Sequence, residues 1–194
     1  MEKEYLDKYE QNLTQKLVQL LSGWNRLGGE LLPSEDLDAL WEPLAEGYLP
    51  DGVREIAKYP TVSLAWMMYI GMAVAHLWDK DWPTLQKQPD AYAFLRRPRG
   101  FDAMDEHIMQ DILKLKTDEQ EKTEEVVRTC ATLALNQIRH EGIEPQSPMA
   151  FHVYVRSIHA LYLAGISAEL HRLGYKYRQA GANHPQSRDV SLTR

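Results

Sequence analysis

Three basic side chains in the last third of the chain could share one face of a helix. His152, Arg156 and His159 are spaced at i, i+4 and i+7. At about 100° per residue, their directions fall within roughly 60° of one another. An imidazole titrates near neutral pH and can act as a general base, whereas a guanidinium keeps its charge and binds anions. This stripe could therefore hold a small anionic molecule in a cavity between helices.

Two polar side chains on a second apolar segment could complete the wall of that cavity. Residues 61–78 are almost entirely apolar, with a tyrosine in the middle and a histidine near the end. The predicted ligand-binding set is Tyr69, His76, His152, Arg156 and His159. A metal site built from the three histidines is disfavoured, because Arg156 would lie between two ligands and repel a divalent cation.

The same stripe also has a purely structural interpretation. A buried guanidinium needs a carboxylate, and residues 102–125 carry nine acidic side chains against three lysines. The predicted partners are Asp105, Glu106 or Asp111, whose pairing with the stripe would fix the register of the helices. This interpretation is favoured, since polar groups in a helical core must be paired whether or not a ligand binds.

The familiar catalytic and cofactor-binding patterns are missing from the sequence. No histidine has an acid three residues before it, which excludes the Glu-x-x-His pattern of di-metal bundles. Gly28 and Gly29 are not followed by the Lys-Ser/Thr of a phosphate-binding loop. Cys130, the single cysteine, lies in an apolar helical stripe and is predicted to be a buried thiol. We therefore expect no cofactor and no metal, and favour a protein that is not an enzyme.

Composition restricts the class of protein further. A chain of 194 residues with 44% apolar and 26% charged residues is typical of one globular domain. A net charge of −6 disfavours general binding to nucleic acid. Residues 1–7 lack the apolar region of a secretory signal, and residues 61–78 contain a histidine and barely reach bilayer-spanning length. The expected location is the cytoplasm, with neither nucleic acid nor membrane as a partner.

Apolar periodicity predicts an all-α, single-domain bundle of six to eight helices over residues 1–178. Two apolar helices, predicted at 60–82 and 148–178, would form its centre. The segment 151–156 is also β-branched enough to suggest a strand, but no turn residue separates it from the apolar residues that follow. Residues 179–194 are polar and aperiodic, and are expected to form a flexible tail.

Residues 102–141 are expected to be helical, as one long helix or as two. Thr117 and Gln120 have the spacing of a capping box, which favours two helices.

Near the start of the chain, Leu6, Leu13 and Leu20 lie seven residues apart on a predicted helix over residues 2–24. Such a narrow apolar seam packs within a bundle or between two copies of a chain. We therefore predict a non-enzymatic helical interaction or scaffold module, with a homodimer as one form. The alternative is a protein or enzyme that binds a small anion at His152, Arg156 and His159.

Overall fold

The structure, a computed structural model, describes residues 1–179 and 190–194 and confirms the predicted all-α, single-domain bundle. The helices are α1 (Glu2–Gly23), α2 (Glu35–Ala39), α3 (Trp41–Ile56), α4 (Pro60–Gln86), α5 (Ala91–Arg96), α6 (Met104–His107), α7 (Thr117–His140) and α8 (Pro148–Arg172). One π-helical turn, Ile108–Ile112, follows α6. A short antiparallel pair, β1 (Lys176–Gln179) and β2 (Val190–Thr193), follows α8.

The centre of the bundle is the contact between α4 and α8, which is the most extensive contact between two elements. Two glycines allow the backbones to touch. A Cβ atom on Gly71 would lie 2.3 Å from the carbonyl oxygen of Tyr162, and one on Gly165 would lie 2.1 Å from the carbonyl oxygen of Met68. Because neither position has room for a side chain, the glycines determine where the two helices cross.

Helix α4 has the length and composition of a membrane-spanning helix, with a mean hydropathy of 1.3 over its most apolar window. Within the bundle, 67% of that window is buried. The helix bends at Asp81, whose backbone is non-helical (φ −156°, ψ 53°), just before Pro83. Proline at position 83 removes a backbone donor and clashes with the preceding turn, which explains the bend.

Helix α1 packs along α8 and, less extensively, along α7. Leu6 and Leu13 of the predicted seam are buried, and Leu20 is half-buried. The seam therefore contributes to the core of this chain, and does not present a free face to a second copy.

Helix α8 is shorter than predicted, because it ends at Arg172 and not near residue 178. Gly174 follows with a φ of 93°, and the Tyr175 amide donates back to the Leu170 carbonyl. This left-handed glycine is a common helix stop. The predicted tail begins inside β1, and residues 190–193 pair with β1 instead of lacking structure. Residues 180–189 lie outside the described residues, so their predicted flexibility stays a prediction.

The segment 102–141 contains separate helices, as the capping pattern favoured, but Thr117 is not the cap. It is the first residue of α7, and Lys116 occupies the N-cap position without a side-chain cap. The turn before α7 uses Lys114 in a left-handed conformation (φ 53°), and the side-chain amide of Gln120 donates to the Leu115 carbonyl.

The crossing of α4 and α8 predicts a strong effect of adding one methyl group. We expect Gly165→Ala to lower the free energy of unfolding by about 3 kcal/mol, because the Cβ must push two helices apart. Gly23→Ala is the matched control, since no atom lies within 4 Å of the added Cβ and its effect should stay below about 1 kcal/mol. Urea unfolding measures both, and equal midpoints would contradict the close contact.

Candidate functional site

The stripe on α8 faces helix α1. Arg156 donates through Nη1 to Glu10 Oε2 at 2.6 Å and through Nη2 to Asp7 Oδ1 at 2.8 Å. His159 Nδ1 contacts the other Glu10 oxygen. His152 is exposed, with Nε2 3.9 Å from a carboxylate oxygen of Glu2. The three side chains therefore share one face of α8, as predicted. However, Arg156, which carries the only permanent charge of the stripe, is bound by carboxylates of the protein itself.

The predicted carboxylate partners of the stripe are wrong. Glu106 and Asp111 instead pair with Arg99, at 3.4 and 3.2 Å, and Asp111 also binds His107. The reason is the packing order, since α6 and the π-helical turn contact α4, whereas α8 presents the stripe to α1. Asp105, the third predicted partner, lines a cavity described below.

Glu10 is the centre of this ion cluster. Burial acts to raise the pKa of its carboxyl group, but hydrogen bonds and charge from His159 and Arg156 outweigh burial and lower it. The His159 ring also packs against Trp41, with ring centroids 4.5 Å apart. The cluster thus connects α1 to α8, and the guanidinium of Arg156 already pairs with two carboxylates of the protein.

His76 belongs to a different cluster. Its Nδ1 lies 2.7 Å from Oε1 of Glu169, a fully buried side chain that Arg172 binds through Nε at 2.7 Å and Nη2 at 2.6 Å. Glu169 lies ten residues beyond His159, or about 15 Å along α8. The structure therefore does not bring His76 together with the stripe.

Tyr69 lines a third location, a cavity of about 270 Å³ between α4, α6 and α7. We call it the Tyr69 cavity. It is lined by Thr61, Val62, Ala65, Trp66, Tyr69, Asp105, Glu124, Val127 and Arg128. The Trp66 indole donates to the Phe101 carbonyl at 2.7 Å, and its ring meets Tyr69 edge to face with centroids 5.7 Å apart. The two aromatic side chains therefore form a fixed wall of the cavity.

The Tyr69 hydroxyl is unusual because it has no hydrogen-bond partner among the described residues, although the residue is only 3% exposed. The hydroxyl oxygen itself is accessible, and Tyr69 lines the cavity. The hydroxyl therefore opens onto the cavity. Burial raises its pKa, and the charges of Asp105 and Glu124 raise it further, against the opposing effect of Arg128. The hydroxyl therefore stays protonated and close to both carboxylates.

Asp105 carries a carboxyl group in an unfavourable environment. Burial raises its pKa most strongly, and repulsion from Glu106 and Glu124 adds to this effect, while a hydrogen bond from the Glu106 backbone opposes it. Titratable groups shifted by burial and like charge in a cavity are typical of functional sites.

A second cavity, of about 360 Å³, is lined by groups of opposite charge that pair with one another, although Arg96 Nε has no partner in hydrogen-bond geometry among the described residues. Tyr92 donates its hydroxyl to Asp51 at 2.5 Å, and Arg96 Nε lies 2.8 Å from the same oxygen. The Tyr69 cavity differs in having an unpaired hydroxyl and carboxylates that are not neutralised at contact distance. It is the stronger candidate site.

Several residues of the candidate site were not predicted. No site role was expected for Trp66, Glu124 or Arg128. The spacing of Trp66 and Tyr69 at i, i+3 and of Glu124 and Arg128 at i, i+4 shows that each pair shares a helix face. Which faces meet is not encoded in either spacing.

Within residues 1–179 and 190–194, no three His, Cys, Asp or Glu side chains cluster in a way that could hold a metal ion.

The α1–α8 ion cluster predicts a large effect of neutralising Glu10. We expect Glu10→Gln to lower the free energy of unfolding by about 2 kcal/mol at pH 7, because Arg156 keeps only the exposed Asp7 as its partner. Asp7→Asn is the matched control and should cost less than about 1 kcal/mol.

The pH dependence of this effect has a definite sign. The pKa of Glu10 is lowered on folding, so its stabilisation is present above its ordinary value of 4.5 and is lost as the pH falls below it. The difference between wild type and Glu10→Gln should therefore shrink from about pH 5 to pH 3 in denaturant titrations. A difference that grows on acidification would contradict the assigned charges.

Comparisons with protein-family models, with curated proteins and with solved structures found no match to this chain. A function must therefore be inferred from the geometry of the Tyr69 cavity and from the surfaces around it.

Proposed function

We propose that this chain is a helical small-molecule-binding protein whose ligand occupies the Tyr69 cavity. The observation that carries the proposal is the Tyr69 side chain, which is only 3% exposed and whose hydroxyl is unpaired among the described residues and open to the cavity. A polar group that opens onto a cavity from an otherwise buried side chain is placed to bond a molecule in that cavity. A ligand at this site can use the hydroxyl as a donor or an acceptor.

The cavity's chemistry favours binding without catalysis. Its polar side chains are a phenol held in its protonated form, two carboxylates, an exposed guanidinium and the hydroxyl of Thr61. The chain's thiol, Cys130, is buried and its pKa is raised to about 12, so it stays an unreactive thiol. These groups can orient and neutralise a ligand.

In this proposal the stripe on α8 has a structural role. Arg156 and His159 fasten α1 to α8 through Glu10, which keeps the bundle closed on the side away from α6. We therefore place the binding site at Tyr69 and not at the predicted anion pocket of His152, Arg156 and His159. Tyr69 is the one residue of the predicted ligand-binding set that this site retains. A cytoplasmic location, without a membrane or nucleic acid as partner, remains part of the proposal.

The proposal predicts binding of a small amphipathic compound that a bulkier cavity wall blocks. We would titrate three probes that share a phenylethyl group: 2-phenylethylammonium, 2-phenylethanol and 3-phenylpropionate. At least one should shift amide resonances of the cavity-lining residues in ¹H–¹⁵N spectra, at millimolar concentration. Val62→Phe should abolish those shifts, because Val62 lines the cavity and the larger ring fills it.

Val18→Phe is the matched control for this experiment. It makes the same change at a half-buried position on α1, outside the cavity lining, and should leave binding intact. The proposed function would be overturned if none of the three probes shifted the resonances of the cavity-lining residues. Equal shifts in Val62→Phe and in the wild type would also overturn it.

A second candidate function is the predicted self-associating interaction module, and we infer that it uses exposed apolar side chains at one end of the bundle. Val53, Tyr59 and Phe151 are exposed apolar side chains, at 44%, 60% and 43%. They belong to the last part of α3 and to the starts of α4 and α8. These three segments lie together at one end of the bundle, because the Ser63 hydroxyl donates to the Gly52 carbonyl and bonds the Tyr154 hydroxyl, each at 2.7 Å. A two-fold dimer brings the same surface of both copies together and can cover such apolar side chains, so the partner we infer is a second copy.

Self-association through this end patch predicts a concentration-dependent sedimentation coefficient. Phe151→Ser should shift the equilibrium toward monomer, whereas Trp24→Ser, at another exposed aromatic residue on a different helix end, should not. A wild-type chain that sediments as a monomer at all concentrations would remove this candidate.

A further inference from the structure

We propose that the Tyr69 cavity binds a small organic cation, with an ammonium group between Asp105 and Glu124 and its apolar part against Trp66. This inference rests on the proposed function and specifies the ligand class of the same site. It follows from the charge balance of the lining, the environment of each carboxylate and the two aromatic rings.

The charge balance of the lining is negative. Asp105 and Glu124 are half-buried, whereas Arg128, the cation of the lining, is exposed. Arg128 lies one turn after Glu124 on α7, yet it makes no ion pair within 4.0 Å among the described residues. The two carboxylates therefore face the cavity without a cation in contact, while the guanidinium remains in water at the rim.

A cation in the cavity would relieve an unfavourable charge arrangement. Asp105 is partly buried beside Glu106 and Glu124, and no basic side chain of the described residues lies within ion-pair distance of it. A partly buried carboxylate without a cationic partner destabilises the fold, and an ammonium group between two carboxylates compensates its charge.

The aromatic wall suits the same kind of ligand. The Trp66 indole N–H is occupied by the Phe101 carbonyl, so the ring contributes its face and edges. A ring face attracts a cation, most strongly when the ring is tryptophan. The Tyr69 hydroxyl oxygen can accept a hydrogen bond from an ammonium N–H, which carries donors and no acceptor. A volume of about 270 Å³ limits the ligand to a small molecule.

The competing arrangement is an anion held by Arg128, with the Tyr69 hydroxyl as donor. It would place a negative group near Asp105 and Glu124, which repel it. The two arrangements predict opposite effects of neutralising Arg128, so one substitution separates them.

The experiment compares the three phenylethyl probes at constant ionic strength and pH 7, by ¹H–¹⁵N titration of the full chain. We expect 2-phenylethylammonium to bind about tenfold more tightly than 2-phenylethanol, and 3-phenylpropionate to bind most weakly. Asp105→Asn and Glu124→Gln should each weaken the cation about fivefold or more and leave the alcohol unchanged. Glu125→Gln removes the same charge from the next residue of α7, which does not line the cavity, and should have little effect.

The effect of Arg128→Gln on affinity distinguishes a cation from an anion. The substitution should tighten binding of the ammonium probe about twofold, because it removes a like charge from the rim. Preferred binding of 3-phenylpropionate that Arg128→Gln abolishes would overturn the cation proposal and leave the proposed function standing. Equal affinity for all three probes would also overturn it. If no probe shifts the cavity residues in the folded wild type, the proposed function fails as well. Circular dichroism confirms that each variant is folded.

Discussion

The close contact of the α4 and α8 backbones is the constraint on which the other packing depends. Gly71 and Gly165 leave no room for a Cβ at the crossing, so the two helices meet at one point and in one register. Protein interiors are close-packed, and a fixed crossing therefore fixes the faces left for other helices. The face of α8 that bears Arg156 is left for α1, and faces of α4 are left for α3, α6 and α7.

The polar groups of the bundle differ in how they are satisfied, and this difference separates structure from the candidate function. Glu10 is half-buried and Glu169 is fully buried, and they bind Arg156 and Arg172, respectively, together with a histidine each. Tyr69 is 3% exposed, and its hydroxyl lacks such a partner among the described residues. Charged groups that are paired hold helices in register, whereas the neutral Tyr69 hydroxyl, unpaired beside two carboxylates, adds no such contact in the free protein. That contrast is why the candidate site lies at Tyr69 and not at the more basic stripe on α8.

The proposed cation site and the α1–α8 ion cluster use acidic side chains in opposite ways. In the cluster, cations on α8 lower the pKa of Glu10, so its charge contributes to stability at neutral pH. In the cavity, burial and neighbouring acids raise the pKa of Asp105, so its charge opposes folding until a cation binds. Such a carboxylate lowers the stability of the free protein but allows it to bind a cation. Functional sites commonly combine lower stability with binding in this way.

The sequence by itself determined the helices and their approximate order, because apolar side chains that recur every three or four residues must share a buried face. It also determined that His152, Arg156 and His159 share one side of α8, since that follows from 3.6 residues per turn. Only the tertiary structure decided that this side meets Asp7 and Glu10 and that Asp105 turns toward Tyr69. Helical periodicity specifies which residues share a face, but the choice of facing helix depends on contacts between residues far apart in the chain, such as those at the α4–α8 crossing.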